Sequence, residues 1–402
     1  MSGPASQQTV RRHNRAIVLR QIRDVPGRSR AQLAAATGMS RATVSALVDD
    51  LVAGGLVREL DAGRGTRGRP AVPLTLDPDG PAGLGIDINV DYISACIVDL
   101  TGQMRERATV VSAQRTAGAA RVLRHAVDLA RQLVRSTALP LAGAAIALPG
   151  LIDREGTIRR LPNLPGLDGV DCGAYLARRL GVPVQVGNEA NLAALAEART
   201  GKRDFILVSG EIGVGAGIVV GGALYGGVHG FAGEFGHTVV DPAGPRCGCG
   251  SRGCLEQYVG QEALLRAAGH VGDPATWTAD PDGVAALLLD AARRGDLRTV
   301  ESLREAGSIL GVALAGALNL LDLQTVVLGG LYARLAPWLS DPITAELDTR
   351  LIARAMTGTS VTASVLGSDA AVIGAAGSVV DEIISGGATA FAAADELRRV
   401  GL

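Results

Sequence analysis

The sequence predicts an α/β protein in two parts, a winged helix-turn-helix head over residues 1–76 and a two-lobed α/β body behind it. Three observations lead there. Two short segments of helical apolar spacing meet at Gly38, in surroundings rich in arginine. From residue 83 onward, runs rich in Val, Ile and Ala alternate with stretches of helical spacing, the pattern of an α/β fold. A strand–turn–strand unit occurs twice in that body, near 83–100 and 205–220, which implies two related lobes with a cleft between them, the usual place for a ligand.

Composition sets bounds. A chain of 402 residues, 47% apolar and 20% charged, fits a soluble globular protein of two or three domains. The net charge of −1 hides an asymmetry: 12 of the 39 basic residues precede residue 77, against only 5 of the 40 acidic ones. A basic head on an acidic body suggests a nucleic-acid-binding module joined to something else. No long apolar run opens the chain, so no signal peptide is expected. The most apolar window, 309–321, is too short to span a bilayer and reads as a buried helix. A cytoplasmic protein is the expectation.

In the head, Val18, Ile22 and Val25 recur at helical spacing. A second segment covers 29–37, and a third, 40–53, carries Val44, Leu47, Val48 and Leu51 at i, i+3, i+4 and i+7. Ser40 suits the N-cap of this third helix, and Gly54-Gly55 its stop. In a helix-turn-helix the start of the second helix enters the major groove. Ser40, Arg41, Thr43 and Ser45 are therefore candidates to meet double-stranded DNA, while Val44 and Leu47 pack inward. Residues 56–59 and 73–76 read as paired strands. Between them, Gly63 to Pro70 form a wing whose Arg64, Arg67 and Arg69 suit phosphates or a narrow minor groove. The alternative is a solvated basic linker; the helix-turn-helix in front of it favours DNA contact. Residues 77–82, Asp-Pro-Asp-Gly-Pro-Ala, form the linker.

In the body, 83–88 and 92–100 read as strands around a turn, 122–134 as a helix, 144–149 and 182–186 as strands, 189–200 as a helix, and 205–209 with 216–220 as a second hairpin. The expected lobes are 83–187 and 188–385, with a C-terminal helix at 386–402 returning to complete the first.

Three of the five cysteines, Cys247, Cys249 and Cys254, fall within eight residues, and His237 lies ten positions before the first. Three thiolates and an imidazole make a complete tetrahedral set for Zn²⁺, with no ligand to spare, so the metal reads as structural. A disulfide is the alternative, rare in a cytosolic protein. Glu234 and Glu256 flank the loop and are placed to accept hydrogen bonds from a polyol.

Gly233-Glu-Phe-Gly-His237, followed by Cys247-Gly-Cys-Gly-Ser-Arg-Gly-Cys-Leu-Glu256, resembles the signature of the ROK family of repressors, open reading frames and sugar kinases. Agreement extends over roughly 83–385. The resemblance implies a body of the actin-like, sugar-kinase type with ribonuclease H-like lobes. It implies sugar contacts from Asn163, Asn188, Glu189, Glu234, His237 and Glu256. Two phosphate loops depart from the kinase pattern. Where ROK kinases carry Asp-x-Gly-Gly-Thr-Lys, this chain has Asp87-Ile-Asn-Val-Asp-Tyr92. Where they carry Gly-Thr-Gly-x-Gly, it has Glu211-Ile-Gly-Val-Gly215. Glu189 replaces the Asp that serves kinases as general base. Asp91 and Glu211 add negative charge where a polyphosphate would sit, at about 1–4 kcal/mol each near 4 Å. No catalytic residue is assigned. The expectation is a sugar-responsive repressor, a homodimer or dimer of dimers, binding operator DNA through its head and a sugar or sugar derivative in its cleft. Two other readings stay open: a sugar kinase with an appended head, and a docking platform for a transport-system protein.

Overall fold

The structure is a computed structural model that describes residues 7–61, 72–112, 114, 117–270, 281–353, 356 and 358–386. The head opens with α1 (Gln7–Asp24), α2 (Arg30–Thr37) and α3 (Arg41–Ala53). Ser29 and Gln32 form a reciprocal capping box on α2, and Gly38 ends that helix at φ 73, a left-handed cap that favours glycine. Ser40 caps α3, accepting from Thr43 N at 3.1 Å. β1 (Val57–Glu59) and β2 (Leu74–Leu76) pair antiparallel, as a winged helix requires. Val25 is the exception to the sequence reading: it lies past the end of α1 and is exposed. Arg64, Arg67 and Arg69 of the expected wing fall outside the described residues.

The body holds two five-stranded sheets of the same design. The first contains β3 (Ala82–Ile88), β4 (Tyr92–Val98), β5 (Met104–Val111), β6 (Leu141–Leu148) and β9 (Val184–Asn188), in the order β5-β4-β3-β6-β9. The second contains β10 (Phe205–Gly210), β11 (Val214–Val220), β12 (Ala223–Leu224), β13 (Thr325–Gly329) and β14 (Ser360–Ala363), in the order β12-β11-β10-β13-β14. In each, three strands run antiparallel, a fourth joins the first strand in parallel and a fifth joins the fourth in parallel. Parallel strands need crossovers. α4 (Ala119–Ser136) and α5 (Cys172–Leu180) supply them in the first lobe, with the short hairpin β7 (Leu151–Ile152) and β8 (Ile158–Arg160) between them. α6 (Glu189–Ala198) leads from the first sheet to the second. The second lobe then adds α7 (Glu256–Val259), α8 (Gln261–Ala267), α9 (Pro281–Arg293), α10 (Leu297–Leu321) and α11 (Gly330–Arg350), and α12 (Ala370–Ile384) closes the described chain.

One helix runs well past its sequence reading. α10 begins twelve residues before the apolar window that announced it, because a charged first half (Arg298, Glu301, Arg304 and Glu305) continues the same helix. Among the described residues no helix is long and apolar enough to cross a membrane. The helix laid over the first sheet is α12, packed on β3, β4 and β6. The sequence reading looked to 386–402 for that role, and residues 387–402 lie outside those described. α12 also packs closely along α6, and α6 in turn on β11.

The linker is a turn, exposed at Asp79 and buried from Gly80 to Ala82. Gly80 N donates to Asp77 O at 3.1 Å, and a Cβ on Gly80 would sit 2.3 Å from the carbonyl oxygen of Gly55 in the head. Arg105 holds this turn from the body side, through Pro78 O at 2.8 Å and the Asp79 carboxylate at 3.4 Å. Head and body also share one continuous apolar core, in which Leu19 and Ile22 of α1 join Val379 and Ile383 of α12.

Candidate functional site

The end of β9 meets α6 at Asn188, and the chemistry of the cleft begins there. Asn188 caps α6 by accepting from Asn191 N at 3.0 Å, while its own amide donates to Gly150 O at 2.9 Å. One side chain thereby fixes the helix start against the loop after β6. The next residue, Glu189, looks into a cavity of about 260 Å³ between the lobes. All six residues expected to contact sugar, Asn163, Asn188, Glu189, Glu234, His237 and Glu256, line that single cavity. Its volume is near the lower end of small-molecule sites, roughly 300–1,000 Å³.

The far wall is set by the second lobe. Glu256 begins α7 and accepts from Val214 N at 3.1 Å. A Cβ on Gly213 would lie 2.4 Å from that carboxylate, so glycine there is what lets Glu256 reach the wall. Glu234 stands across from it. Burial pushes the Glu234 carboxyl up; His237 pulls it down, and Glu256 pushes it further up.

The opposite end of the cavity holds the first hairpin turn. Asn89 Nδ2 donates to Glu189 Oε1 at 3.1 Å and lies 3.3 Å from the Tyr92 hydroxyl, which donates to Asp87 Oδ2 at 2.9 Å. Asp87 is fully buried and its Oδ1 has no hydrogen-bond partner. Burial raises its pKa to about 7, opposed by the Tyr92 hydrogen bond and supported by the nearby Asp91 charge. Glu189 is raised well above the carboxylate range by burial first, then by Asp87, Glu211 and Asp91. Asn89, Val90 and Glu211 line the cavity, whereas Asp91 is buried outside it. The carboxylates that face a ligand here are thus Glu189 and Glu211.

Sequence reasoning missed Arg160, whose Nη2 donates to Gly248 O at 3.2 Å and ties β8 to the cysteine loop. It also missed Asn89 as a partner of Glu189. The signal for Arg160 was its place just before Leu161-Pro-Asn163; nothing local pointed from Asn89 to a residue 100 positions away.

His237, Cys247, Cys249 and Cys254 bring one ligand atom each within 4.8 Å of one another, a set that could hold a metal ion. The spacing fits the chemistry of the donors. Cys249 Sγ lies 3.6 Å from Cys254 Sγ, and Cys247 Sγ lies 3.7 Å from His237 Nδ1. Four donors around Zn²⁺ at its usual bond lengths stand about 3.5–3.8 Å apart. His237 Nδ1 faces the cysteines, and Nε2 faces Glu234 Oε2 at 3.8 Å. The ring therefore belongs to both sites, with one nitrogen for each.

The expected DNA-facing residues occupy the start of α3. Arg41 and Thr43 are exposed, as is Ser40, and Ser45 is half-buried. The Ser40 and Thr43 hydroxyls are 2.8 Å apart. Two acidic residues on the same helix are neutralised, Asp49 by Arg30 at 2.6 Å and Asp50 by Arg11.

Comparison with known proteins matches these parts separately and together. Residues 83–382 match the ROK family, and residues 11–68 match the MarR family. The chain is 30% identical to the xylose repressor of Bacillus spizizenii over 94% of its length and 98% of the relative. A crystal structure of a ROK family transcriptional regulator, a homologue of the E. coli MLC protein, shares its fold with a TM-score of 0.77, at 24% identity over 96% of this chain and 99% of that one. A ROK family glucokinase from Streptomyces griseus, solved with glucose and AMPPNP, covers only the body: 74% of this chain and 98% of its own, at 30% identity and a TM-score of 0.61. With its body matched from end to end and a MarR-type head in front of it, the chain belongs to the ROK family, as one of its repressor-type transcriptional regulators.

Proposed function

We propose that the chain represses transcription by binding operator DNA through α3 and its wing, and that a sugar without a phosphate group, bound in the cleft, changes that affinity. One observation carries the effector reading: six side chains from four segments converge on one cavity of about 260 Å³. Glu234, Glu256, Asn163 and Asn188 offer acceptors and amides to a polyol, and His237 Nε2 lies among them. Glu211 at the other end, whose charge already bears on Glu189, opposes a phosphate by like charge. The glucose found in the S. griseus glucokinase supports a monosaccharide in this position.

The body acts as sensor rather than kinase. A general base must accept a proton, and Glu189, buried among other carboxyls and hydrogen-bonded by Asn89, keeps its own far above the usual range. Zn²⁺ held by His237, Cys247, Cys249 and Cys254 would be structural, since four protein ligands leave no open position. It would pin the loop that carries Glu234 at one side and Glu256 at the other. A homodimer or dimer of dimers fits a regulator that reads two operator half-sites.

The experiment is a thermal-shift titration with free monosaccharides and their phosphates, followed by operator binding with the sugar that shifts. Glu234→Ala is expected to abolish the shift and the response while leaving sugar-free DNA affinity within about twofold, since the residue lies in the body and not on the DNA-facing helix. A variant that stays fully responsive refutes the assignment of the cleft. ADP release from ATP with the same sugar is expected to be absent; sustained turnover would restore the kinase reading.

A further inference from the structure

We propose that Asp381 is the joint through which the state of the cleft reaches the DNA-binding head. One carboxylate is held at once from both directions: Oδ2 by Arg199 Nη2 at 2.5 Å and Oδ1 by Arg23 Nη1 at 3.4 Å. Arg199 is the C-terminal cap of α6, and Arg23 lies in the last turn of α1. The proposal rests on the effector reading above and supplies its route to DNA.

α6 begins in the cleft, with Asn188 as its cap and Glu189 as its first residue, and ends at Asp381. Its ten residues span about 15 Å, a short rigid rod between the two places. The rod is gripped on both flanks. A Cβ on Gly217 of β11 would lie 2.5 Å from Ala194 Cβ, which sets α6 hard against the second sheet. On the other flank, a Cβ on Gly374 of α12 would lie 1.9 Å from Leu192 O. α12 is in turn set on the first sheet, where a Cβ on Gly85 would lie 2.1 Å from Val372 O. The two sheets therefore meet through α6 and α12, and any rotation of one lobe on the other shears that pair. Asp381 rides on α12 while Arg199 rides on α6, so shear changes the pair between them.

The head feels this because it shares the same carboxylate. Below Asp381, Ile383 and Ile384 are buried in the core that also contains Val18, Leu19 and Ile22 of α1. Arg12 and Ala16 of α1 pack at Gly386 just beyond. Asp381 and Arg23 are each about 40% exposed, so their pair contributes little to stability. Its place, spanning three helices from three parts of the molecule, suits transmission of a small displacement. A cleft ligand that favours one lobe arrangement thereby favours one setting of α1.

The test uses the full-length chain and begins without DNA or sugar. Hydrogen exchange of α1 is followed in Arg199→Ala, whose ion pair is with Asp381 and not with α1. Exchange over the last two turns of α1 is expected to quicken about threefold, as in Asp381→Asn, and no further in the double variant. Unchanged α1 exchange in Arg199→Ala overturns the joint. Asp381→Glu, which keeps the charge, is expected to restore the wild-type rate.

The second arm uses a duplex selected by the wild-type protein from a random library, with D-xylose and D-glucose as probes. Asp381→Asn is expected to keep the thermal shift of the responsive sugar but to lose at least about threefold of its effect on duplex affinity. An unchanged effect overturns the proposal. If neither these sugars nor any free monosaccharide of the panel above shifts the wild type, it is the effector reading that fails, and the exchange arm alone decides the joint.

Discussion

At the scale of single residues, the cleft floor is an exercise in keeping carboxyls uncharged. Asp87 is fully buried; it has a tyrosine hydroxyl on one oxygen and, among the described residues, no hydrogen-bond partner on the other. With a folded pKa of about 7, above the ordinary value of 3.8, the native state keeps a proton that the unfolded chain has released. Stability from this group is complete below pH 4 and is lost as pH rises through 7. Asp87→Asn removes that dependence. In paired urea titrations from pH 5 to 8, the variant is expected to gain on the wild type as pH rises, because release of a metal affects both alike. A parallel course would mean that Asp87 is ionised in the native protein. At the DNA end, Arg41 stands exposed at the first position of α3. Arg41→Ala is expected to weaken binding to the selected duplex by about 1–2 kcal/mol, roughly tenfold, at fixed salt. Equal affinity for the variant and the wild type would remove α3 from the interface. These two residues also mark the limits of sequence reading. The place of Arg41 at the start of α3 was legible because the helix-turn-helix spacing is local. The Asn89–Glu189 contact was not, because it spans two separate segments that only the folded sheets bring together.

At the scale of elements, the cysteine loop was legible for the same reason Arg41 was: its donors sit within eighteen residues, and few arrangements satisfy three thiols and an imidazole so close together. Cys249 is the more exposed of the three thiols. Of the zinc proposed for this loop, Cys249→Ser is expected to lose most on dialysis, by elemental analysis, and with it the thermal shift by sugar, since His237 and both flanking glutamates depend on the loop. A zinc-free variant that still responds would make the cluster dispensable. The hairpins β3–β4 and β10–β11 were legible too, as apolar runs around a turn, whereas β5, β12 and β14 were not, and α3 was legible from its i, i+3, i+4, i+7 spacing. The helices were read less well at their ends. α10 outran its apolar window because polar residues on the exposed face do not interrupt a helix. α12 gave no local sign of the sheet it covers, since its small residues, Gly374 and Gly377 among them, record a close approach whose other side lies far away in sequence.

At the scale of the whole molecule, the two domains the sequence separates share one apolar core. The basic-to-acidic shift near residue 76 marks a change of task, and it falls where Gly80 packs onto Gly55 and the apolar core runs through. A head on a free tether would melt by itself, at lower temperature than the body. A head sharing its core with α12 is expected to unfold with it, giving a single calorimetric transition whose enthalpy matches the van't Hoff value. Two resolved transitions would show that the shared core contributes little.

The tight turn at Gly80 bears on how such proteins are recombined. Heads and bodies of this kind invite exchange, since in the function proposed above the head chooses the DNA and the body the signal. Here the suture is not a strip of spare chain. A transplanted head would have to present a backbone carbonyl to Gly80, an arginine to Asp381 and an apolar face to Ile383, all at once. Grafts cut at the charge boundary would import a new DNA preference and sever its control, whereas a graft that carries α1 and α12 as a matched set would keep both.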